Sequence, residues 1–189
     1  MSKRYPVMLD ISGRVCTVIG GGKVALRKAA GLAAAGGCVR VAAPEISEGM
    51  PKGTELIRCR YSKELIKGSF IVFAATNDKK LNEKIVEDAR SLGILAMSVC
   101  GGGDFTNGAV RSEGGVDIQI CSGVPALSAE LCARLNIDGA ANAAEILKKY
   151  RKCLGRGEYA RLCSEEMLML AAENPSEYEN EVVKIVNIS

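Results

Sequence analysis

Histidine is absent from the 189 residues. That excludes every mechanism built on an imidazole: Ser-His-Asp hydrolysis, Cys-His proteolysis and His-ligated zinc. Acid–base work falls to Asp, Glu, Lys, Tyr or Cys. Tryptophan is absent too, and aromatics make up only 4%, so platforms for stacking nucleic-acid bases are scarce. Net charge is only +3, and Lys and Arg never run longer than two. No nucleic-acid partner is expected. No apolar run approaches the ~20 residues of a membrane span, so no membrane association is expected. The segment Met1–Pro6 has no apolar targeting core. Eight cysteines are scattered without a C-x-x-C pair, so no metal site is expected. Free thiols of this kind fit a reducing cytoplasm, the expected location.

Glycine, by contrast, is plentiful at 21 residues. Something in the fold needs positive φ or close backbone approach. The first half alternates short apolar runs with helical patterns. Val15–Ile19 reads as a strand buried on both faces. Residues 24–35 read as an Ala/Leu-rich helix ended by Gly36-Gly37. Further strands are expected at 39–42, 54–59, 70–74 and 94–99, and a helix at 78–92 capped by Asn77 or Asp78. This alternation predicts an α/β fold on a parallel sheet. Past Gly101-Gly102-Gly103 the pattern changes. A hairpin is expected around 113–115, then helices at 125–136, 139–153, 156–172 and 175–186.

Gly20-Gly21-Gly22-Lys23-Val24-Ala25 fits G-x-G-x-x-A between a predicted strand and a predicted helix. Gly20 permits the tight turn, Gly22 lets a pyrophosphate approach the backbone, and Ala25 allows close helix–strand packing. The helix N-terminus offers free N–H groups and a positive dipole end to phosphates. A Rossmann-type domain binding a dinucleotide is the expectation. The acid that holds an adenine ribose should follow the second strand, and Glu45, after Ala43-Pro44, is the acid there. No Arg directly follows Ala42, so NAD is favoured over NADP. Ala75 lets a cofactor lie flat at the end of the fourth strand, and Thr76 either donates to the ligand or belongs to the loop and cap.

Taken in order, several segments resemble one family. They are Tyr5–Ile11 with Gly13-Arg14-Val15 (an opening strand and turn), Val18–Ala25 with Arg27-Lys28, Ala43-Pro44-Glu45, Ala74–Asp78 with Asn82, and Ile118–Gly123 followed by Pro125. The family is precorrin-2 dehydrogenase, often joined to sirohydrochlorin ferrochelatase activity as the front half of siroheme synthase. The resemblance covers residues 5–140. It implies oxidation of precorrin-2 to sirohydrochlorin with NAD⁺ as hydride acceptor, followed in many members by Fe²⁺ insertion. It also implies an intertwined homodimer: a Rossmann domain at 1–112, a dimerisation segment at 113–150 and a helical part at 151–189. Family nucleotide contacts fall on Gly22, Lys23, Val24, Pro44 and Glu45, beside Gly20, Gly21, Ala43, Ala75 and Thr76 from the loops. The family's Ser-Gly serine falls on Ser122. The methyltransferase domain of the fused members is not expected here.

One departure stands out. Where the family carries an Asn, two apolar residues and an Asp after its fifth strand, this chain has Met97-Ser98-Val99-Cys100. Two residues are therefore candidates for the missing acid: Asp104, swung in on the Gly101–Gly103 loop, or Cys100 itself as acid/base. Dehydrogenation tolerates the change better than chelation, because the cofactor carries the hard chemistry. Chelatase activity is accordingly doubtful. A polycarboxylate tetrapyrrole needs cations, and Arg111 and Arg134, with Lys148, Lys149 and Arg151, lie in the second half. Apolar positions at Val116, Ile118, Ile120, Leu127, Leu131, Leu135 and Ile137 suggest a second subunit as partner. The alternative to an enzyme is a tetrapyrrole- or nucleotide-binding carrier or sensor of the same fold.

Overall fold

The computed structural model describes residues 5–188, so residues 1–4 of the segment read for targeting lie outside the described part. Five strands form one parallel sheet: β1 (Val15–Ile19), β2 (Cys38–Ala42), β3 (Glu55–Ile57), β4 (Ile71–Ala74) and β5 (Leu95–Ser98). Their order is β3-β2-β1-β4-β5. β1 and β4 are central, and their apolar continuity is the consequence. Cys16, Val18 and Ile19 of β1 and all of β4 are buried, because helices cover both faces. α1 (Lys23–Ala34) lays Ala25, Ala29 and Leu32 on one face, and α2 (Lys79–Ser91) lays Ile85, Val86 and Ala89 on the other. Thr17, a polar residue inside β1, is satisfied by a 2.7 Å hydrogen bond to Ser69.

The connection from β4 to β5 shows how local signals set boundaries. Asp78 caps α2, its carboxylate accepting from Lys80 N–H at 2.9 Å and Leu81 N–H at 3.1 Å. The other end stops at Leu92, followed by Gly93 at φ +70°.

The described residues form two compact units, divided in the chain between Thr106 and Asn107. The second holds a hairpin, β6 (Ala109–Glu113) and β7 (Val116–Ile120), turned by Gly114 and Gly115 with φ +55° and +75°. Five helices follow: α3 (Pro125–Arg134), α4 (Asp138–Lys149), α5 (Arg156–Leu162), α6 (Glu165–Glu173) and α7 (Pro175–Ile188). β6 thus opens the second unit, whereas the sequence reading put residues 109–112 with the first. The helices on either side of residue 150 share one core, in which Ile146 and Leu147 pack with Leu162, Tyr178 and Val182. Tyr178 donates its buried hydroxyl to the Leu162 carbonyl at 3.1 Å.

Three expectations change. Residues 5–10 are exposed and pair with no strand, and only the turn that follows is present, closed by Arg14 N–H on the Ile11 carbonyl at 2.9 Å. β3 is a short edge strand of three residues, because beyond Ile57 the chain leaves its ladder with β2. The helix expected at 156–172 is two helices. Ser164 starts α6, its hydroxyl accepting from Met167 N–H at 3.4 Å, with Glu165 and Glu166 in the first turn. Apolar spacing on both sides hid that start signal.

Candidate functional site

At the carboxyl ends of β1, β2 and β4 lies a cleft of about 560 Å³. Its floor is the glycine loop. Gly20 has φ +131°, and a Cβ there would collide with the Ala75 carbonyl. A Cβ on Gly21 would collide with the Glu45 carbonyl, and Ser47 N–H holds the Gly21 carbonyl at 2.8 Å. The loop after β2 and the loop after β4 therefore press on the turn from two sides, which only glycine permits. Gly22 differs: a Cβ there would meet nothing within 4 Å. It caps α1, whose first turn carries no side-chain cap and no acidic residue. The opening N–H groups of α1 are thus left to a ligand, in the arrangement that suits a diphosphate. Ala25 is fully buried, bringing the helix close to the sheet.

Eight of the ten expected cofactor residues line this cleft: Gly20, Gly21 and Gly22 below, Ala43, Pro44 and Glu45 on one wall, Ala75 and Thr76 on another. Lys23 and Val24 are exposed in the first turn of α1 but are not among the lining residues. Sequence reasoning missed Ile19, Ala42, Ile46, Ser47, Tyr61 and Leu81, and read Asn77 only as a candidate helix cap. Tyr61 and Leu81 were findable, because both follow carboxyl ends of strands in the same sheet.

Thr76 is held from behind by Asn82, which is fully buried on α2. The Asn82 amide oxygen accepts from Thr76 N–H at 3.1 Å and from its hydroxyl at 2.7 Å. Its amide nitrogen donates to the Thr76 carbonyl at 3.0 Å and to Cys100 Sγ at 3.3 Å. Cys100 is thereby tied to the β4 loop, at the end of β5.

Asp104 is placed elsewhere. Gly101, Gly102 and Gly103 all take positive φ, from +89° to +109°. They turn the chain back along the free edge of β5 through a Met97–Gly103 antiparallel bridge. Both Asp104 oxygens are engaged there, one by Arg90 Nε at 2.7 Å and one by Ala96 N–H at 2.9 Å. Partial burial pushes its carboxyl up, but the Ala96 and Arg90 hydrogen bonds and the Arg90 charge outweigh this and hold it below the usual carboxylate range. The expected flexible loop that swings Asp104 into the cleft is instead a folded return segment, and neither Asp104 nor Cys100 is among the residues lining the cleft.

In the second unit, Ser122 donates its hydroxyl to the Val124 carbonyl at 2.8 Å and lies 2.8 Å from the Ser128 hydroxyl. Arg111 donates to the Leu135 carbonyl at 2.7 Å and to Glu113 at 2.8 Å, with Asp138 at 3.6 Å. It braces the hairpin against the α3–α4 connection. Arg134 makes an exposed pair with Glu130 one turn earlier, at 2.6 Å. Ile137, expected at a subunit interface, is buried inside its own unit.

Comparison with known proteins agrees with this geometry. The family model described as "Putative NAD(P)-binding" matches residues 7–109. A siroheme synthase from Chromobacterium violaceum is 32% identical over 140 residues, covering 69% of this chain and 30% of that protein. One from Psychrobacter arcticus is 35% identical over 143 residues, covering 69% and 26%. One from Ectopseudomonas mendocina is 42% identical over 92 residues, covering 47% and 20%. The chain thus spans under a third of the length of these curated relatives. Among solved structures, "SirC, precorrin-2 dehydrogenase" superposes with a TM-score of 0.76 over 98% of this chain and 100% of that one, at 19% identity, so the two share a fold.

Proposed function

The chain belongs to the putative NAD(P)-binding family, and from that premise we propose that it is a dehydrogenase converting precorrin-2 to sirohydrochlorin with NAD⁺. The observation that carries the reading is the cleft. Its uncapped α1 start, glycine turn and flat Ala75–Thr76 wall fit a dinucleotide, and a filled or acidic floor would not. When bound, NAD⁺ supplies the acceptor for a hydride. The protein supplies position. Backbone N–H groups of the first turn of α1 hold the diphosphate. Glu45 takes the ribose hydroxyls and repels a 2′-phosphate, which selects NAD⁺ over NADP⁺. Thr76, fixed by Asn82, sets the height of the ligand over β4.

The substrate loses a hydride and a proton, and the proton needs an acceptor. Of the two sequence candidates, Cys100 is the one tied to the Thr76–Asn82 network, while Asp104 is spent on the β5 edge. Cys100 is therefore the assigned acid/base, and Asp104 a brace. Ser122, Arg111 and Arg134 remain the candidates for binding the carboxylate-rich substrate; in the second unit Arg111 is paired with Glu113 and Arg134 with Glu130. The exposed apolar residues of α3 serve a homodimer, and the cytoplasm is the compartment. No carboxylate stands at the Cys100 position, so iron insertion is expected to be weak.

Purified protein, precorrin-2 and NAD⁺ are mixed without oxygen and NADH absorbance is followed. Stoichiometric NADH with sirohydrochlorin supports the reading. No NADH, with sirohydrochlorin still bound, supports a carrier instead, a reading favoured by Met97 and Cys100 where the family has Asn and Asp.

A further inference from the structure

Tyr61 is the aromatic residue among those lining the cleft. It follows β3, on the β2–β3 side of the glycine turn. Its ring packs against the buried cluster of Ile66, Ile85 and Val72. Its hydroxyl donates to Asp88 Oδ2 on α2 at 3.0 Å. The ring is thus held at its tip and supported on its inner side. Leu81, from the first turn of α2, lines the same cleft.

A dinucleotide crossing a sheet of this order has its diphosphate over β1 and its halves on opposite sides of that strand. Cys100 marks the β5 side. The other side carries Glu45, and with it the ribose of the non-reacting half. A planar base on that side needs an apolar surface with a π-face.

We infer that Tyr61 is the aromatic wall of the cleft against which the adenine ring of the dinucleotide lies. The inference rests on the nucleotide reading above and adds the group that supports its base. Asp88 makes the wall rigid. Burial first, then the Asp88 hydrogen bond and charge, raise the tyrosine above its ordinary range, so the hydroxyl stays a donor at working pH. A ring ordered before binding loses little freedom when the base arrives.

The test titrates the protein with NAD⁺, AMP and nicotinamide mononucleotide. Tyr61→Ala should weaken NAD⁺ and AMP by the same factor, about 10-fold, equivalent to about 1.4 kcal/mol. It should leave nicotinamide mononucleotide unchanged. Tyr61→Phe, which keeps the ring, should retain most of the AMP affinity. A folded Tyr61→Ala protein that binds AMP as wild type does would overturn the inference, and so would equal weakening of all three ligands. If Tyr61→Ala does not fold, nuclear Overhauser contacts between adenine protons and the Tyr61 ring are sought in the wild type, and their absence overturns it equally. The outcomes separate from those of the dehydrogenase reading. Adenine-selective binding without NADH formation leaves the wall and removes the activity. NADH formation with AMP affinity indifferent to Tyr61 does the reverse. A wild type that binds none of the ligands overturns both.

Discussion

Asp104 and Ala96 hydrogen-bond to each other twice. The Asp104 N–H donates to the Ala96 carbonyl at 2.8 Å, and the Ala96 N–H donates to the Asp104 carboxylate at 2.9 Å. The exchange fastens the return segment to β5 and covers a strand edge that would otherwise be open to pairing.

Asp104→Ala leaves the Ala96 N–H without its acceptor and should cost about 1–3 kcal/mol of stability, with little change in NADH formation per folded molecule. The folded carboxyl lies below its ordinary range. Its contribution is therefore complete above the unfolded value near pH 4 and is lost as pH falls through the lower folded value. Urea unfolding at about pH 7 and again at about pH 3 should show the gap between wild type and variant narrowing in acid. A constant gap would contradict the assignment.

Gly22→Asp separates binding from folding. A side chain at Gly22 meets no protein atom, and the position is the cap of α1. Aspartate is a good cap, so thermal stability should hold or rise by a few tenths of a kcal/mol. The same carboxylate occupies the N–H groups that a diphosphate needs, and NAD⁺ should bind at least ~10-fold more weakly, about 1.4 kcal/mol. Gly21→Ala should instead destabilise the fold, because its Cβ meets the Glu45 carbonyl. Calorimetric titration beside thermal melts checks both.

Cys100→Ala should lower NADH formation from precorrin-2 by about 10²-fold, the scale of a positioned acid/base, at unchanged NAD⁺ affinity. Thiol alkylation of the wild type should inactivate it to the same extent. Full activity in the alanine variant would remove Cys100 from the chemistry.

Glu45 lines the cleft beside the glycine turn, and its proposed role in choosing the dinucleotide can be measured. The wild type should bind NAD⁺ more tightly than NADP⁺, and Glu45→Ala should narrow that preference by about 10-fold through loss of NAD⁺ affinity and relief of 2′-phosphate repulsion. Parallel titrations with both dinucleotides measure the ratio; one that the substitution leaves unmoved assigns the preference elsewhere.

Val124, Leu127, Leu131 and Leu135 are all exposed along α3. Their spacing of three to four residues puts them on one face. Sedimentation at micromolar concentration should give twice the monomer mass, and Leu131→Glu should give the monomer. A wild-type monomer would refute the dimer.

How much was legible depended on the range of the interactions involved. The parallel sheet was readable because β4 throughout, and β1 apart from Thr17, are apolar, a pattern that burial on both faces produces. The glycine cradle was readable because backbone collision leaves no other residue at Gly20 and Gly21. The α5–α6 break was locally encoded at Ser164 yet masked by apolar spacing that continues through it. Ile137 looked like interface because it is apolar in an otherwise uncommitted stretch, and the packing of its own unit buried it.

The sequence by itself determined the strand and helix succession, the turn that faces the cleft and the residues on its near walls. Each of these follows from local conformational limits or from periodicity. Only the tertiary structure decided which candidates meet. Asn82 reaches both Thr76 and Cys100, Tyr61 is pinned to Asp88 across 27 residues, and Asp104 lies on a strand edge away from the cleft. Those outcomes depend on where β3, α2 and β5 lie relative to one another. Chain neighbours carry no record of that placement, because it is set by packing between elements distant in sequence.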